Sequence, residues 1–231
     1  MKWASNKYRE GLRKKASPKD KGFCPICGEE VISKCGDIKI WHWAHKIGIE
    51  CDSFGEPETK WHLKWKDNFP EEMQEVSVKK CVSDYCYNNK LGTGKSHGAG
   101  HAPCNHINCA DCDFKIHRAD IKTKTGLVIE FQNSPISPEK IQEREDFYGN
   151  MIWVLNGKTF GKNITFFKRR FKWNWPSKSW DYAHKDIYLD YELDFIWKIN
   201  LSNMTFKKLS KIAFIIYNGG NPLKNGETKI N

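Results

Sequence analysis

The sequence predicts a mixed α/β fold preceded by a small metal-stapled module, and two observations predict it. Between residues 57 and 155 the hydrophobic periodicity changes in a set order: a helical stripe, three alternating segments, a capped helix, then an apolar strand. Ahead of that stretch stand Cys24-x2-Cys27 and, after a gap of 14 residues, His42-x2-His45, the ligand types and pairing of a tetrahedral zinc set.

Taken in order, residues 1–22 are basic and hold few aliphatics, so they read either as a flexible arm or as short strands leading into the Cys-rich unit that starts at Phe23. Over residues 57–69, Trp61, Trp65 and Phe69 recur at i, i+4 and i+8 as one buried helical stripe, which Pro70 ends. Residues 75–80 alternate as a short strand, and 115–123 and 126–132 read as two more, joined by a tight turn at Lys124, Thr125 and Gly126. Ser137-Pro138 is an N-cap followed by proline at the first helical position, and Gly149 is a stop. Residues 151–155 form an apolar strand, 186–199 look like a hairpin, and the tail after Asn218 frays.

At 231 residues the chain can build one sizeable core with attachments. No run approaches the ~18 to 20 apolar residues that span a bilayer. The first residues lack an apolar signal region, so the expected location is cytoplasmic. In a reducing compartment the nine cysteines point to metal ligation rather than disulfides. A formal charge of +10 favours a polyanionic partner, although a basic solvated face has the same signature. Within residues 158–178, cations that include Lys168, Arg169 and Arg170 interleave with Phe160, Phe166, Phe167, Phe171, Trp173 and Trp175. That pattern grips a nucleic-acid backbone and stacks bases, or else it is a strand pair whose rings are mostly core.

Cys24, Cys27, His42 and His45 are expected to hold a structural Zn²⁺, because four protein ligands leave no open position for catalysis. A second cluster lies between two strands expected to pair. Cys81 and Cys86 leave one strand and Cys109 and Cys112 enter the next, so these four could close a second zinc site at the hairpin base; sets using Cys104 or His106 stay open.

On the 115–123 strand Arg118, Asp120 and Lys122 share a face; on 126–132 Val128, Glu130 and Gln132 do. If the turn pairs these strands, Asp120 and Glu130 point the same way and bind one divalent ion through oxygen, which can polarise a phosphodiester and acidify water. Two acids at a hairpin are also common on solvated faces, but Glu130 sits in a mostly apolar strand where an unpaired carboxylate is costly. Glu58, His62 and Lys66 form a polar stripe beside the tryptophans, facing a cleft or forming a surface ladder. Arg144 and Tyr148 share a face of the later helix, to contact a phosphate or to pack.

The ordered pieces Phe23-Cys-Pro-Ile-Cys-Gly28, His42-Trp-Ala-His45, Glu58-x3-His62-x3-Lys66, His117-Arg-Ala-Asp120-Ile121, Val128-Ile-Glu-Phe-Gln-Asn-Ser134 and Arg144-x3-Tyr148 resemble the competence protein CoiA-like nuclease family. That family is a branch of the PD-(D/E)XK nuclease superfamily, and the resemblance covers most of residues 23–155. It implies a restriction-endonuclease-like αβββαβ core at 53–175, a zinc-binding module at 1–52 and a small β-rich extension at 176–231. The family pattern often has arginine where His117 stands, and the Cys/His-rich segment at 81–112 is an insertion.

The resemblance further implies that Asp120 and Glu130 bind the catalytic Mg²⁺ or Mn²⁺. Gln132 occupies the place of the superfamily lysine, and Glu58 is an additional acid. The expected activity is metal-dependent hydrolysis of DNA in processing, recombination, uptake or defence, with Glu58, His62, Asp120, Glu130 and Gln132 catalytic. Lys66, Arg118, Arg144, Lys168, Arg169 and Arg170 are the expected nucleic-acid contacts. Gln132 is neutral, so part of the charge stabilisation must come from His62, Lys66 or a second ion at Glu58. The rival readings are a non-catalytic zinc-dependent nucleic-acid-binding module and an adaptor that binds an unidentified protein.

Overall fold

The computed structural model describes residues 1–7, 12–37, 40–46, 51–55, 58–81, 114–174 and 177–222. The basic N-terminal residues build strands: β1 (Trp3–Ser5), β2 (Arg13–Lys15), β3 (Lys21–Phe23), β4 (Glu30–Lys34) and β5 (His42–His45) form an antiparallel sheet in the order β2-β1-β3-β4-β5. Its buried core is little more than Ala4, Ala16, Cys24, Val31 and Trp43. So small a core gains from a metal cross-link. Gly28 closes the Cys-Pro-Ile-Cys knuckle at φ 75°, where a side chain is strained, and its amide donates to the Cys24 carbonyl.

The second sheet is mixed. It contains β6 (Gln74–Cys81), β7 (Phe114–Lys122), β8 (Val128–Gln132), β9 (Met151–Asn156), β10 (Ile164–Phe167), β11 (Arg170–Trp173), β12 (Ile187–Asp190), β13 (Phe195–Asn200) and β14 (Thr205–Ser210), in the order β10-β11-β14-β13-β12-β9-β8-β7-β6. The expected meander is β6, β7 and β8, paired antiparallel, with Gly126 at φ 82° in the tight turn. Helix α1 (Lys60–Lys66) precedes it. Helix α2 (Pro138–Tyr148), capped by the Ser137 hydroxyl, carries the chain from β8 to its parallel neighbour β9. The hairpin expected at 186–199 is β12 and β13, and β12 pairs parallel with β9. The C-terminal strands thus continue the same sheet. A one-turn helix α3 (Gly157–Phe160) and α4 (Lys211–Tyr217) complete the described α-helices.

Strand alternation gives the sheet two covered faces. Met151, Trp153 and Leu155 pack with Ile141 of α2, whereas Ile152 and Val154 pack with Trp61 and Trp65 of α1 and Phe214 and Ile215 of α4. Both α1 indoles donate to Asp190 Oδ2 at 2.8 Å, and Lys211 Nζ pairs with Asp190 Oδ1 at 2.9 Å, which pins α1 over β12. In the basic aromatic segment, Phe160, Phe171 and Trp173 are core, while Phe167, Lys168, Arg169 and Arg170 are exposed; Trp175 lies outside the described residues. Cys81 pairs with Phe114 at the base of the β6/β7 hairpin. Cys86, Cys104, His106, Cys109 and Cys112, and with them the second zinc set, lie outside the described residues.

Candidate metal centre and active site

In the N-terminal module the ligand atoms of Cys24, Cys27, His45 and Cys51 all lie within 4.8 Å of one another, the one such group among the described residues. Cys24 Sγ is 3.6 Å from Cys51 Sγ, and His45 Nε2 is 3.3 Å from Cys27 Sγ and 3.5 Å from Cys51 Sγ. Zinc bonds of ~2.3 Å to sulfur and ~2.0 Å to nitrogen give tetrahedral edges of about 3.8 Å (S···S) and 3.5 Å (S···N), so the donor set fits zinc. The Cys51 hydrogen bond pulls the Cys24 thiol down to about 4, toward the thiolate a metal needs. His42 is not part of this group, a correction to the expected ligand set. Three residues apart on one strand, His42 and His45 leave opposite faces, and His42 Nδ1 instead lies 2.7 Å from the Ile40 carbonyl. Cys51 takes the fourth position.

The acid site forms where β7 and β8 part. Their ladder is registered at Lys122↔Val128 and Ile121↔Ile129; one step further, side chains take over as partners. The Asp120 amide donates to Glu130 Oε1 at 3.1 Å, and the Phe131 amide donates to Asp120 Oδ2 at 3.0 Å. Glu75 stands opposite Asp120 on β6, between the pairs Gln74↔Ile121 and Val76↔Ala119. Three carboxylates therefore lie side by side on three adjacent strands. Glu75 holds a left-handed backbone at φ 46°, a strained conformation fixed by Lys2 and Trp3 amides that donate to its carboxylate.

Lys66 lies at the centre of this arrangement, with Nζ 2.8 Å from Glu58, 3.2 Å from Glu75 and 2.9 Å from Asp120. Burial alone would lower its pKa, but Asp120, Glu75 and Glu58 together raise it well above the ordinary lysine value. Burial pushes Asp120 up, and Lys66 with His62 outweighs it, so Asp120 ends below the usual range; Glu75 behaves alike under Lys66 and Arg118. Glu130 goes the other way, pushed up to about 8 by burial and then by Asp120, against the pull of Arg144. Arg144 Nη1 reaches Glu130 Oε2 at 3.3 Å and Gln132 Oε1 at 3.2 Å. Asp52, Glu58, His62, Lys66, Arg118, Asp120, Glu130 and Arg144 line one cavity of about 40 Å³, room for a few waters or a partly hydrated ion.

The fold thus gathers the expected residues Glu58, His62, Lys66, Arg118, Asp120, Glu130 and Arg144, and holds Gln132 behind them. The ring nitrogens of His62 face Thr59, whose hydroxyl lies 2.8 Å from Nδ1, and the Phe131 main chain. Nδ1 accepts from the Thr59 amide, closing the α1 capping box, and Nε2 faces the Phe131 carbonyl at 3.2 Å. The Gln132 amide spans Arg144 and the Ser134 carbonyl. Lys168, Arg169 and Arg170 lie at the far edge of the sheet, at the β10/β11 turn. Sequence reasoning missed Cys51, Asp52 and Glu75. Cys51 was one of three cysteines, with Cys35 and Cys104, left over from the expected pairs, which did not single it out; a lone acid at a strand start gave no signal for Glu75.

Residues 4–54 match the family described as "Competence protein CoiA, N-terminal domain", and residues 115–214 match "Competence protein CoiA, nuclease-like domain". Over 44 residues the chain is 46% identical to "Competence protein CoiA" of Bacillus subtilis (strain 168), a stretch that spans 19% of this chain and 12% of that protein. No solved structure matches. No described helix is long and apolar enough to cross a membrane. With both family models matched in order, the chain belongs to the CoiA-like family and carries that family's nuclease-like domain.

Proposed function

We propose that the chain is a metal-dependent deoxyribonuclease that acts in DNA processing, as the competence name of its relative suggests. The carrying observation is that at the β7/β8 parting the Glu130 carboxylate accepts the Asp120 amide and the Asp120 carboxylate accepts the Phe131 amide, which sets the two acids side by side, with the Lys66 ammonium 2.9 Å from Asp120 in the same cleft. Carboxylate oxygens suit a hard cation such as Mg²⁺ or Mn²⁺, which Asp120 and Glu130 would hold. Bound there, it would supply phosphodiester polarisation and acidification of water.

The chain's own residues do the rest. Lys66, kept protonated by its three carboxylates, places positive charge where the attacking oxygen and the phosphate develop negative charge. It supplies from a helix the ammonium that Gln132 lacks on its strand. Arg144 fixes Glu130 and Gln132, so Gln132 serves as a positioning residue. His62 holds the main chain at Phe131 beside the acids. Glu58 shares Lys66 and faces the cavity.

The test is cutting of plasmid and single-stranded DNA with Mg²⁺ or Mn²⁺ by wild type, Glu130→Ala and an EDTA-treated control. Wild-type cutting that the variant and EDTA both abolish is expected. Equal cutting by Glu130→Ala sinks the assignment. One observation favours a second reading, a non-catalytic DNA-binding module: Lys66 already satisfies Glu58, Glu75 and Asp120 without a metal. That reading predicts salt-sensitive DNA binding with no cutting under any divalent ion.

A further inference from the structure

The five residues 51–55 join the two sites. Cys51 places its sulfur in the Cys24/Cys27/His45 group. The next residue, Asp52, is spent on β7: Oδ1 lies 3.0 Å from His117 Nδ1, and Oδ2 accepts the Arg118 amide at 3.1 Å, two residues before Asp120. Asp52 Oδ1 also accepts the Phe54 amide at 3.1 Å, and its carbonyl accepts from Gly55, so the segment turns tightly back on itself. Phe54, 4% exposed, stacks on the His117 ring with centroids 3.6 Å apart and planes 11° from parallel. Its carbonyl accepts Arg144 Nη2 at 2.5 Å, while Arg144 Nη1 holds Glu130 and Gln132.

Arg144 is buried and its Nε has no partner, so the Phe54 carbonyl is a large part of what fixes the guanidinium plane. From Cys51 Sγ to the Glu130 carboxylate, every link is therefore a covalent bond, a hydrogen bond or a close stack. We infer that residues 51–55 are a strap that couples the Cys24/Cys27/His45/Cys51 centre to the acid pair. Asp52 and Phe54 are positioning residues that hold Arg144 against Glu130, and releasing Cys51 from its metal loosens divalent-cation binding at Asp120 and Glu130. The inference rests on the reading that those two acids bind the cation.

The experiment measures Mn²⁺ affinity of the full chain by electron paramagnetic resonance, with zinc content determined in parallel. Mn²⁺ stands low in the order of divalent affinities and favours oxygen donors, so a vacated thiolate site competes little for it. Wild type is compared with Glu130→Gln, Asp52→Asn, Phe54→Ala, Phe54→Tyr and zinc-stripped protein. Phe171→Ala, a core deletion at the opposite edge of the sheet, controls for lost stability alone.

The expected result is Mn²⁺ binding that Glu130→Gln abolishes and that weakens about tenfold in Asp52→Asn, Phe54→Ala and zinc-stripped protein, the usual effect of removing a group that orients a ligand. Phe54→Tyr, which keeps the stack and the carbonyl, stays near wild type, as does Phe171→Ala. Wild-type affinity in the strap variants or in zinc-stripped protein, with Glu130→Gln dead, overturns the coupling and leaves the acid pair standing. An equal loss in Phe171→Ala also overturns it, as a stability effect. Mn²⁺ binding that ignores Glu130 overturns the acid-pair reading, and the coupling with it.

Discussion

Replacing Lys66 with methionine keeps the length and bulk of the side chain and removes one charge from a site that holds three carboxylates around it. Lys66 and Glu75 are both nearly inaccessible, so solvent cannot replace the lost partner. Removing one member of a buried ion pair costs about 3–5 kcal/mol, because the remaining charge stays buried and uncompensated. At ~2 to 4 °C per kcal/mol for a chain of this size, Lys66→Met should melt roughly 6 to 20 °C below wild type near neutral pH.

The pH dependence follows from the shifts. Asp120 and Glu75 are held below their ordinary values in the folded protein, so their contribution is present above the unfolded carboxylate pKa and is lost as pH falls through the folded one. The raised Lys66 contribution is complete below its unfolded value and constant across the acid and neutral range. In the variant, burial is left to push the carboxylates up, and acid relieves them. The melting gap should therefore be widest at about pH 7 to 8 and close toward pH 4. Mn²⁺ should restore part of it by supplying the missing positive charge. Calorimetric or fluorescence melts at several pH values, with and without Mn²⁺, read all three effects. A gap of under ~1 kcal/mol that does not change with pH would refute the claim that Lys66 balances the three acids.

Three other predictions follow from the same geometry. Glu130, pushed up to about 8, keeps a proton that the folded state gains between the unfolded value near 4.5 and that pH; metal-free stability should fall over this window, and Mn²⁺ affinity should rise and then level near pH 8, as titration calorimetry at stepped pH would show. Glu130→Gln should flatten the stability slope. Metal analysis of purified protein should find zinc lost from Cys51→Ser and His45→Ala and retained in His42→Ala, and loss from His42→Ala alone would restore the ligand set expected from sequence. Changing Lys168, Arg169 and Arg170 to alanine should lower the salt dependence of DNA binding by a slope of about 2 to 3 if each meets a phosphate; an unchanged slope in fluorescence anisotropy removes the β10/β11 edge from the interface.

Local signals carried most of the core. Ser137-Pro138 and Gly149 bound α2 as caps do in any context, and the Gly126 turn brings β7 and β8 into the register that makes Asp120 and Glu130 neighbours. The tryptophan stripe located α1, although the helix begins only after Thr59, where His62 turns back to cap it. What the sequence hid is non-local. Strand parity excludes His42 from the metal group, but only once His42 and His45 are known to share a strand, because on a helix the same spacing places both on one face. Glu75 becomes a site residue through a register shared with Asp120 and through the Lys2 and Trp3 amides, 73 and 72 positions away. The C-terminal hairpin gave no sign that β12 would pair with β9, since parallel neighbours need no short connection.

Charge gives the site its logic. Asp52, Glu58, Glu75, Asp120 and Glu130 are five carboxylates, and Lys66, Arg118, Arg144 and the Met1 ammonium are four cations, so these groups carry one excess negative charge when all are ionised. In a cavity that admits only a few waters such an excess is expensive, and the raised Glu130 shows how part of it is shed: the acid between Asp120 and Arg144 keeps its proton. A divalent cation would offset the excess and favour loss of that proton. A lysine in place of Gln132 would offset that excess and put an ammonium beside Glu130, weakening the attraction for a cation. With the ammonium at Lys66, on the Asp120 side and 2.8 to 3.2 Å from three acids, Glu130 faces Arg144 as its one paired cation, and on the proposed reading a metal at the acid pair meets no ammonium on the Gln132 strand.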